Sequence, residues 1–140
     1  MFRLFKKKTP AEEFLQMYGE FVEEVTGVFE RADDCEQVAK PMKMLQDFAD
    51  MGIVHAQGLL ALALLREDKP WYDPDRGLPM LKDAAEKNEP FSQHMLGSIL
   101  YKGQGSVPAD RIMAKYWIKK SADNDYPPAI EDYEMIWGSC

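Results

Sequence analysis

Cysteine and histidine are scarce in this chain of 140 residues, and basic residues are fewer than acidic ones. Its two cysteines, Cys35 and Cys140, exclude a disulfide framework and a four-thiolate metal site, and they favour a cytoplasmic location. Lys and Arg number 17 against 24 Asp and Glu, so the formal net charge is −7. Because a nucleic-acid-binding protein presents a basic face, this balance argues against nucleic acid as a partner.

Long apolar stretches are also absent from the sequence. No run reaches the roughly 18 apolar residues that a membrane-spanning helix needs, and the longest, residues 58–65, suits a buried helix. Residues 1–8 carry four basic side chains but lack the apolar stretch of a secretory signal. We interpret residues 1–8 as a flexible, solubilising end, with weak contact to an anionic membrane surface as the alternative and no stable membrane association.

Hydrophobic periodicity predicts an all-α fold of about seven helices. The segment Thr9-Pro10-Ala11-Glu12 has the pattern of a capping box and starts a helix that extends to about Arg31. A second helix is predicted to end at Gly52, with Pro41 in or near its first turn. The third, from Ile53 to Leu65, is apolar on all sides and is therefore placed at the centre of the domain. The later helices are predicted at 74–87, 91–102, 111–123 and 128–137.

Parts of the chain match one another at a spacing of 36 or 37 residues. Leu60 falls on Leu96, 36 residues later, and Ala84-Ala85 fall on Ser121-Ala122, 37 residues later. Small and apolar matches at this spacing are typical of helix pairs stacked on copies of themselves, so the sequence predicts a short α/α-solenoid. The predicted division is a basic N-terminus at 1–8, a helix pair at 9–52 that is a divergent repeat or a cap, and repeats with a partial C-terminal copy at 53–140.

The most regular copy lies between residues 92 and 122. It contains Ser92-Gln93-His94-Met95-Leu96-Gly97, the loop Gly103-Gln104-Gly105, and then Asp110, Ala114, Trp117 and Ser121-Ala122. In these residues the sequence resembles the Sel1-like repeat family of α/α-solenoids, whose architecture is related to that of tetratricopeptide repeats. The preceding copy departs from the family pattern at Glu67-Asp68-Lys69, which replaces the glycine loop, and at Met80, which replaces the tryptophan. The resemblance implies an adaptor or regulatory protein of a kind common in bacteria.

Six side chains are predicted to contact a partner. The groove lined by the first helices of the pairs would use Gln57, His94, Met95 and Tyr101. The final helix lacks a second helix, so it leaves Tyr133 and Trp137 at a partly open C-terminal edge. Since tyrosine and tryptophan dominate protein interfaces, this edge is a second predicted site, for a protein partner or for a homodimer.

Three functions are compatible with these residues. The first is a non-catalytic module that binds a protein or peptide. The second is an acidic inhibitor or immunity protein that neutralises a basic toxin or nuclease, because nine of the 24 acidic residues lie between Glu12 and Glu36. The third is a hydrolase. However, His55 and His94 lack the spacing of a metal site or a nucleophile–base pair, so no catalytic residue, metal or cofactor is predicted.

Overall fold

A computed structural model describes residues 7–138 of the chain, so predictions that concern residues 1–6 and Cys140 lie outside the described residues. Residues 7–138 form seven α-helices and, apart from an isolated bridge between Gln104 and Val107, no β structure. The helices are α1 (Pro10–Arg31), α2 (Cys35–Asp50), α3 (Val54–Leu64), α4 (Pro74–Glu86), α5 (Pro90–Lys102), α6 (Arg111–Asp123) and α7 (Pro127–Trp137). The all-α prediction is confirmed. No helix in this part of the chain is long and apolar enough to cross a membrane.

The predicted starts of α1, α4 and α6 are set by capping side chains. At the start of α1, Thr9 Oγ1 accepts a hydrogen bond from the Glu12 amide at 3.2 Å, and the Thr9 amide donates to Glu12 Oε2 at 2.9 Å. Asp73 caps α4 and Asp110 caps α6 by accepting from a backbone amide three residues later. These caps satisfy amides that the first turn of a helix leaves without partners.

Two local details differ from the sequence predictions. Pro41 lies inside α2, six residues after its first residue Cys35 and past the first turn, because the Asp34 capping box fixes the start of that helix. α5 and α7 each begin one residue earlier than predicted, at prolines that suit the first helical position.

Successive helices pack on one another as three pairs, α1–α2, α3–α4 and α5–α6, followed by α7. Two clusters of buried side chains run through this stack. The first joins α1, α2 and α3 and includes Phe29, Leu45 and Trp71, whereas the second joins α3 to α6 and includes Leu96 and Trp117. Since α3 contributes to both clusters, its predicted central position is confirmed.

Glycine allows the two helices of a pair to pack closely. A Cβ atom on Gly97 of α5 would lie 2.5 Å from Ile118 Cγ1 and 3.2 Å from the Ala114 carbonyl oxygen of α6. The turn after α5 also depends on glycine, because Gly103 and Gly105 have φ values of +76° and +56°. The predicted structural turn at 103–105 is thus present.

Candidate interaction surface

The last helix has the position of a first helix in a pair. α5 and α7 begin at Pro90 and Pro127, 37 residues apart, and α4 and α6 begin at Pro74 and Arg111, also 37 apart. α5 packs on α4 and on α6, whereas α7 packs on α6 and no helix follows it within residues 7–138. One side of α7 is therefore open where the equivalent side of α5 is covered.

Equivalent residues of α5 and α7 show this difference in burial. Gln93 and Leu96 of α5 are 0% and 2% exposed. Ile130, 37 residues after Gln93, is 37% exposed, and Tyr133, 37 residues after Leu96, is partly exposed. The repeat thus places apolar side chains of α7 at positions that a following helix would cover.

Three of the predicted contact residues meet at this end of the stack. The centroid of the Trp137 ring lies 5.8 Å from that of Tyr101 and 5.6 Å from that of Tyr133. The guanidinium carbon of Arg111 lies 4.0 Å from the centroid of the Tyr101 ring. Tyr101, which the sequence assigned to the groove, thus joins Tyr133 and Trp137, and we call these three rings the aromatic edge.

An open groove between α6 and α7 adjoins the aromatic edge. Its volume is about 500 Å³, and its lining residues are Arg111, Ile112, Lys115, Tyr116, Lys119 and Trp137. Ile112 is 83% exposed and Tyr116 is 47% exposed. Every charged side chain in this lining is basic, and we therefore call it the basic groove.

Sequence reasoning missed Ile112 and Tyr116 as candidate contacts. The residues 37 positions earlier, on α4, are Asp75 and Pro79, and both are exposed. Helix α4 packs in the stack with an aspartate and a proline at these positions. The fold therefore does not require large apolar side chains there. A residue-by-residue comparison of α4 with α6 would have identified Ile112 and Tyr116 as candidate contacts.

A second cavity lies between the first helices α5 and α7. Its volume is about 540 Å³, and its lining residues are Ser98, Tyr101, Lys102, Ile118, Asp132, Met135 and Ile136. His94 Nε2 lies 2.7 Å from Asp132 Oδ2, so this pair links α5 to α7 at the margin of the cavity. The Ser98 hydroxyl donates to the His94 carbonyl oxygen within its own helix. Met95 packs against the second buried cluster.

The Gln57 side chain is occupied within the fold. Its amide nitrogen donates to the Met80 carbonyl oxygen at 2.9 Å and to Asp83 Oδ2 at 2.8 Å, which joins α3 to α4. This bond, followed by one from Lys87, lowers the pKa of Asp83. Gln93, 36 residues after Gln57, is fully buried and also donates to a backbone carbonyl, that of Ala85. The structure thus directs Gln57 towards α4, and the alignment of Gln57 with Gln93 is the signal that predicts it.

A solved structure supports the relationship that residues 92–122 suggested. The chain is similar to a Sel1 repeat protein from Oxalobacter formigenes, with 29% identity, coverage of 71% of this chain and 77% of that chain, and a TM-score of 0.58. This chain has a Sel1-like repeat fold. No family model matches the sequence, and no curated protein matches it.

The Sel1-like repeat fold is generally a scaffold for protein interactions and is typically non-catalytic. Within the described part of the chain, no group of three or more His, Cys, Asp or Glu side chains could hold a metal ion. A fold of this kind suggests protein partners in general.

His55 joins the first helices of this Sel1-like repeat fold. Its Nδ1 lies 2.9 Å from the hydroxyl of Tyr18 on α1, and its ring centroid lies 5.4 Å from that of Phe91 on α5. Burial lowers the pKa of His55, and the Glu89 carboxylate opposes that shift. Burial, with a smaller contribution from Glu89, raises the pKa of Tyr18 to about 12. The structure thus makes His55 part of the packing between first helices.

The stability of the chain is expected to fall as the pH drops below 6.5, the ordinary pKa of His55. Because the folded chain has the lower pKa, protons bind more tightly to the unfolded chain. The stabilisation is therefore fully present above pH 6.5 and is lost as the pH falls through the folded value. Urea unfolding from about pH 8 to about pH 5 measures this loss.

Two variants separate the titration of His55 from its hydrogen bond. His55→Gln should flatten the pH dependence of the free energy of unfolding between about pH 8 and about pH 5. Tyr18→Phe should lower the free energy of unfolding at about pH 8 by about 0.5–1.5 kcal/mol. A His55→Gln variant with the full pH dependence of the unsubstituted chain would contradict this assignment.

Proposed function

We propose that this chain is a non-catalytic protein-interaction module that binds a protein or peptide through its C-terminal aromatic edge. The observation that supports this proposal most directly is the contrast between Leu96 and Tyr133. The repeat places them at equivalent positions, yet the first is 2% exposed and the second is partly exposed. A protein partner would cover the side of α7 that no following helix covers in residues 7–138.

The chemistry of the aromatic edge suits an interface. Tyrosine and tryptophan are large and rigid, and they concentrate binding free energy at the centres of interfaces. Tyr101 belongs both to the aromatic edge and to the lining of the cavity between α5 and α7. A peptide anchored at the edge could therefore continue into that cavity, where the side chains of Lys102 and Asp132 offer polar contacts.

The remaining predicted contacts have a supporting role in this proposal. His94 holds Asp132 in the cavity lining, and Met95 packs against the core beneath. Gln57 is left out because its amide is bonded to α4. We propose the cytoplasm as the site of action, since Cys35 is an exposed free thiol of the kind that reducing compartments maintain.

Trp137→Ala is expected to weaken partner binding by about 2 kcal/mol or more, roughly 30-fold, because it removes the central ring of the aromatic edge. Helicity should change little, since Trp137 is partly exposed near the end of the last helix. Affinity capture from the native cell, followed by titration of the purified partner, measures the binding. Circular dichroism measures the helicity.

Met51→Ala provides the matched control. Met51 is 70% exposed at the end of α2, so its replacement removes a comparable apolar side chain far along the chain from the edge. Two results would count against the aromatic edge as the interface. One is binding that falls as much in Met51→Ala as in Trp137→Ala, and the other is a Trp137→Ala variant that unfolds.

A second candidate function is an acidic inhibitor of a basic toxin or nuclease. It is favoured by the exposure of all six glutamates of α1, which are Glu12, Glu13, Glu20, Glu23, Glu24 and Glu30. Such a field would speed the approach of a basic partner and would make the affinity depend on salt. An affinity that is the same at low and high salt would exclude this function.

A further inference from the structure

We infer that the basic groove between α6 and α7 receives α1 of a second copy of this chain, so that copies associate head to tail. This inference rests on the proposed function, for which it names the partner. It is carried by the opposite charges and the exposed apolar side chains at the two ends of the stack.

The lining of the groove is basic although the chain as a whole is acidic. Helix α6 contains Arg111, Lys115, Lys119 and Lys120 against Asp123, which gives +4 − 1 = +3. Helix α1 contains six glutamates against Arg31, which gives −6 + 1 = −5. The charged residues that line the basic groove are Arg111, Lys115 and Lys119, of which Lys119 is paired with Asp123 at 3.0 Å. The three acidic residues of α7, Glu131, Asp132 and Glu134, do not line it.

Both ends also expose apolar side chains that the fold of one copy does not use. The basic groove presents Ile112, Tyr116 and Trp137. On α1, Leu15 is 65% exposed on the side that also carries Gly19. Opposite charge around apolar contacts on both sides is the arrangement of a complementary interface.

Gly19 supports the assignment of α1 as the inserted helix. It lies one turn after Leu15 on the exposed side of α1, and within residues 7–138 a Cβ atom there would meet nothing within 4 Å. A glycine inside an exposed helix costs about 1 kcal/mol relative to alanine. Close approach of another chain, such as the Trp137 ring of the groove, would account for a residue without a side chain here.

The contact must join different copies, because α1 and α6 belong to opposite ends of the stack and make no helix–helix packing contact within one chain. A patch that binds a different patch forms a heterologous interface, which yields open chains or a ring. Two C-terminal ends facing each other would instead bring Lys115 and Lys119 of both copies together. The charges therefore favour the head-to-tail arrangement over an edge-to-edge dimer.

Charge reversal at each end tests this inference. The first variant carries Lys115→Glu and Lys119→Glu, and the second carries Glu20→Lys and Glu23→Lys. Sedimentation of the full chain should show concentration-dependent association that weakens from about 50 to about 300 mM NaCl, because salt screens the charges. Each variant alone should associate at least roughly tenfold more weakly, since the first variant changes the charge of α6 to +3 − 4 = −1 and the second reduces that of α1 to −5 + 4 = −1.

An equimolar mixture of the two variants should regain association. In the mixture, the unchanged α1 of the first variant meets the unchanged basic groove of the second variant, a pairing that neither variant can form by itself. Attraction between the overall charges cannot explain this rescue, because the variants have formal net charges of −7 − 4 = −11 and −7 + 4 = −3, both negative.

Three results would overturn the inference. They are an unsubstituted chain that stays monomeric at low salt, association that survives in both variants, and association that is lost in the first variant but not in the second. The last result would indicate an edge-to-edge dimer. A monomeric chain that still binds another protein through Trp137 would overturn the head-to-tail contact while leaving the proposed function intact.

Discussion

Replacing Leu96 with alanine is expected to lower the free energy of unfolding by about 2–5 kcal/mol. Leu96 is 2% exposed and belongs to the buried cluster that joins α3 to α6. Its neighbour Gly97 brings α5 close to α6. We therefore expect the surrounding side chains to have little room to move into the space that the removed leucine side chain leaves. Urea unfolding followed by circular dichroism measures the loss.

Tyr133→Ala is the matched comparison, because Tyr133 occupies the equivalent position of α7. We expect it to cost well under half as much, since the side of α7 that carries Tyr133 is partly exposed. Equal losses for the two variants would show that the edge is part of the core, and they would contradict its proposed role in binding.

Trp71→Ala is expected to cost about 3–5 kcal/mol and to loosen the end of α1. Trp71 lies between α3 and α4, is 6% exposed, and has its ring centroid 6.3 Å from that of Phe29 on α1. Lys69, two residues earlier, donates to the carbonyl oxygens of Glu30 and Ala32 at 3.1 and 2.8 Å. Hydrogen exchange should therefore quicken in the last turns of α1 more than in α5.

Trp71→Phe separates the volume of the ring from its N–H group. Trp71 Nε1 is buried and has no hydrogen-bond partner in the described part of the chain, so its removal forfeits no bond. We expect Trp71→Phe to be much milder than Trp71→Ala. Unchanged hydrogen exchange in α1 of the Trp71→Ala variant would show that the loop between α3 and α4 does not hold α1 in place.

Local sequence signals were sufficient for the helices and their order. The capping pattern at Thr9 and Glu12, the aspartates before α4 and α6, and the 37-residue spacing each act over a few residues or repeat along the chain. The similarity to a solved Sel1 repeat structure then confirmed the fold that they predict. Pro41 was misplaced because the Asp34 capping box, which sets the start of α2, was not identified.

The contacts of individual polar side chains were harder to predict. The pairs His94–Asp132 and Tyr18–His55 join residues 38 and 37 positions apart, and their geometry depends on how neighbouring helices are rotated. Gln57 was assigned to the groove from the position of its helix as the first of a pair, yet its amide donates to a backbone carbonyl of α4. The exposed pair Ile112 and Tyr116 is visible only when one copy is compared with another.

The central helix has a consequence for how the stack unfolds. In a repeat protein, each unit contacts only its neighbours, and the ends can open independently when the coupling between units is weak. Here, Leu60 and Leu64 of α3 belong to the N-terminal cluster, whereas Ala61 and Leu65 belong to the next cluster. Because adjacent residues at the end of α3 belong to different clusters, unfolding of either cluster removes packing contacts from the other. We therefore expect the array to be thermodynamically coupled through its third helix and to unfold as one cooperative unit rather than as separable repeats.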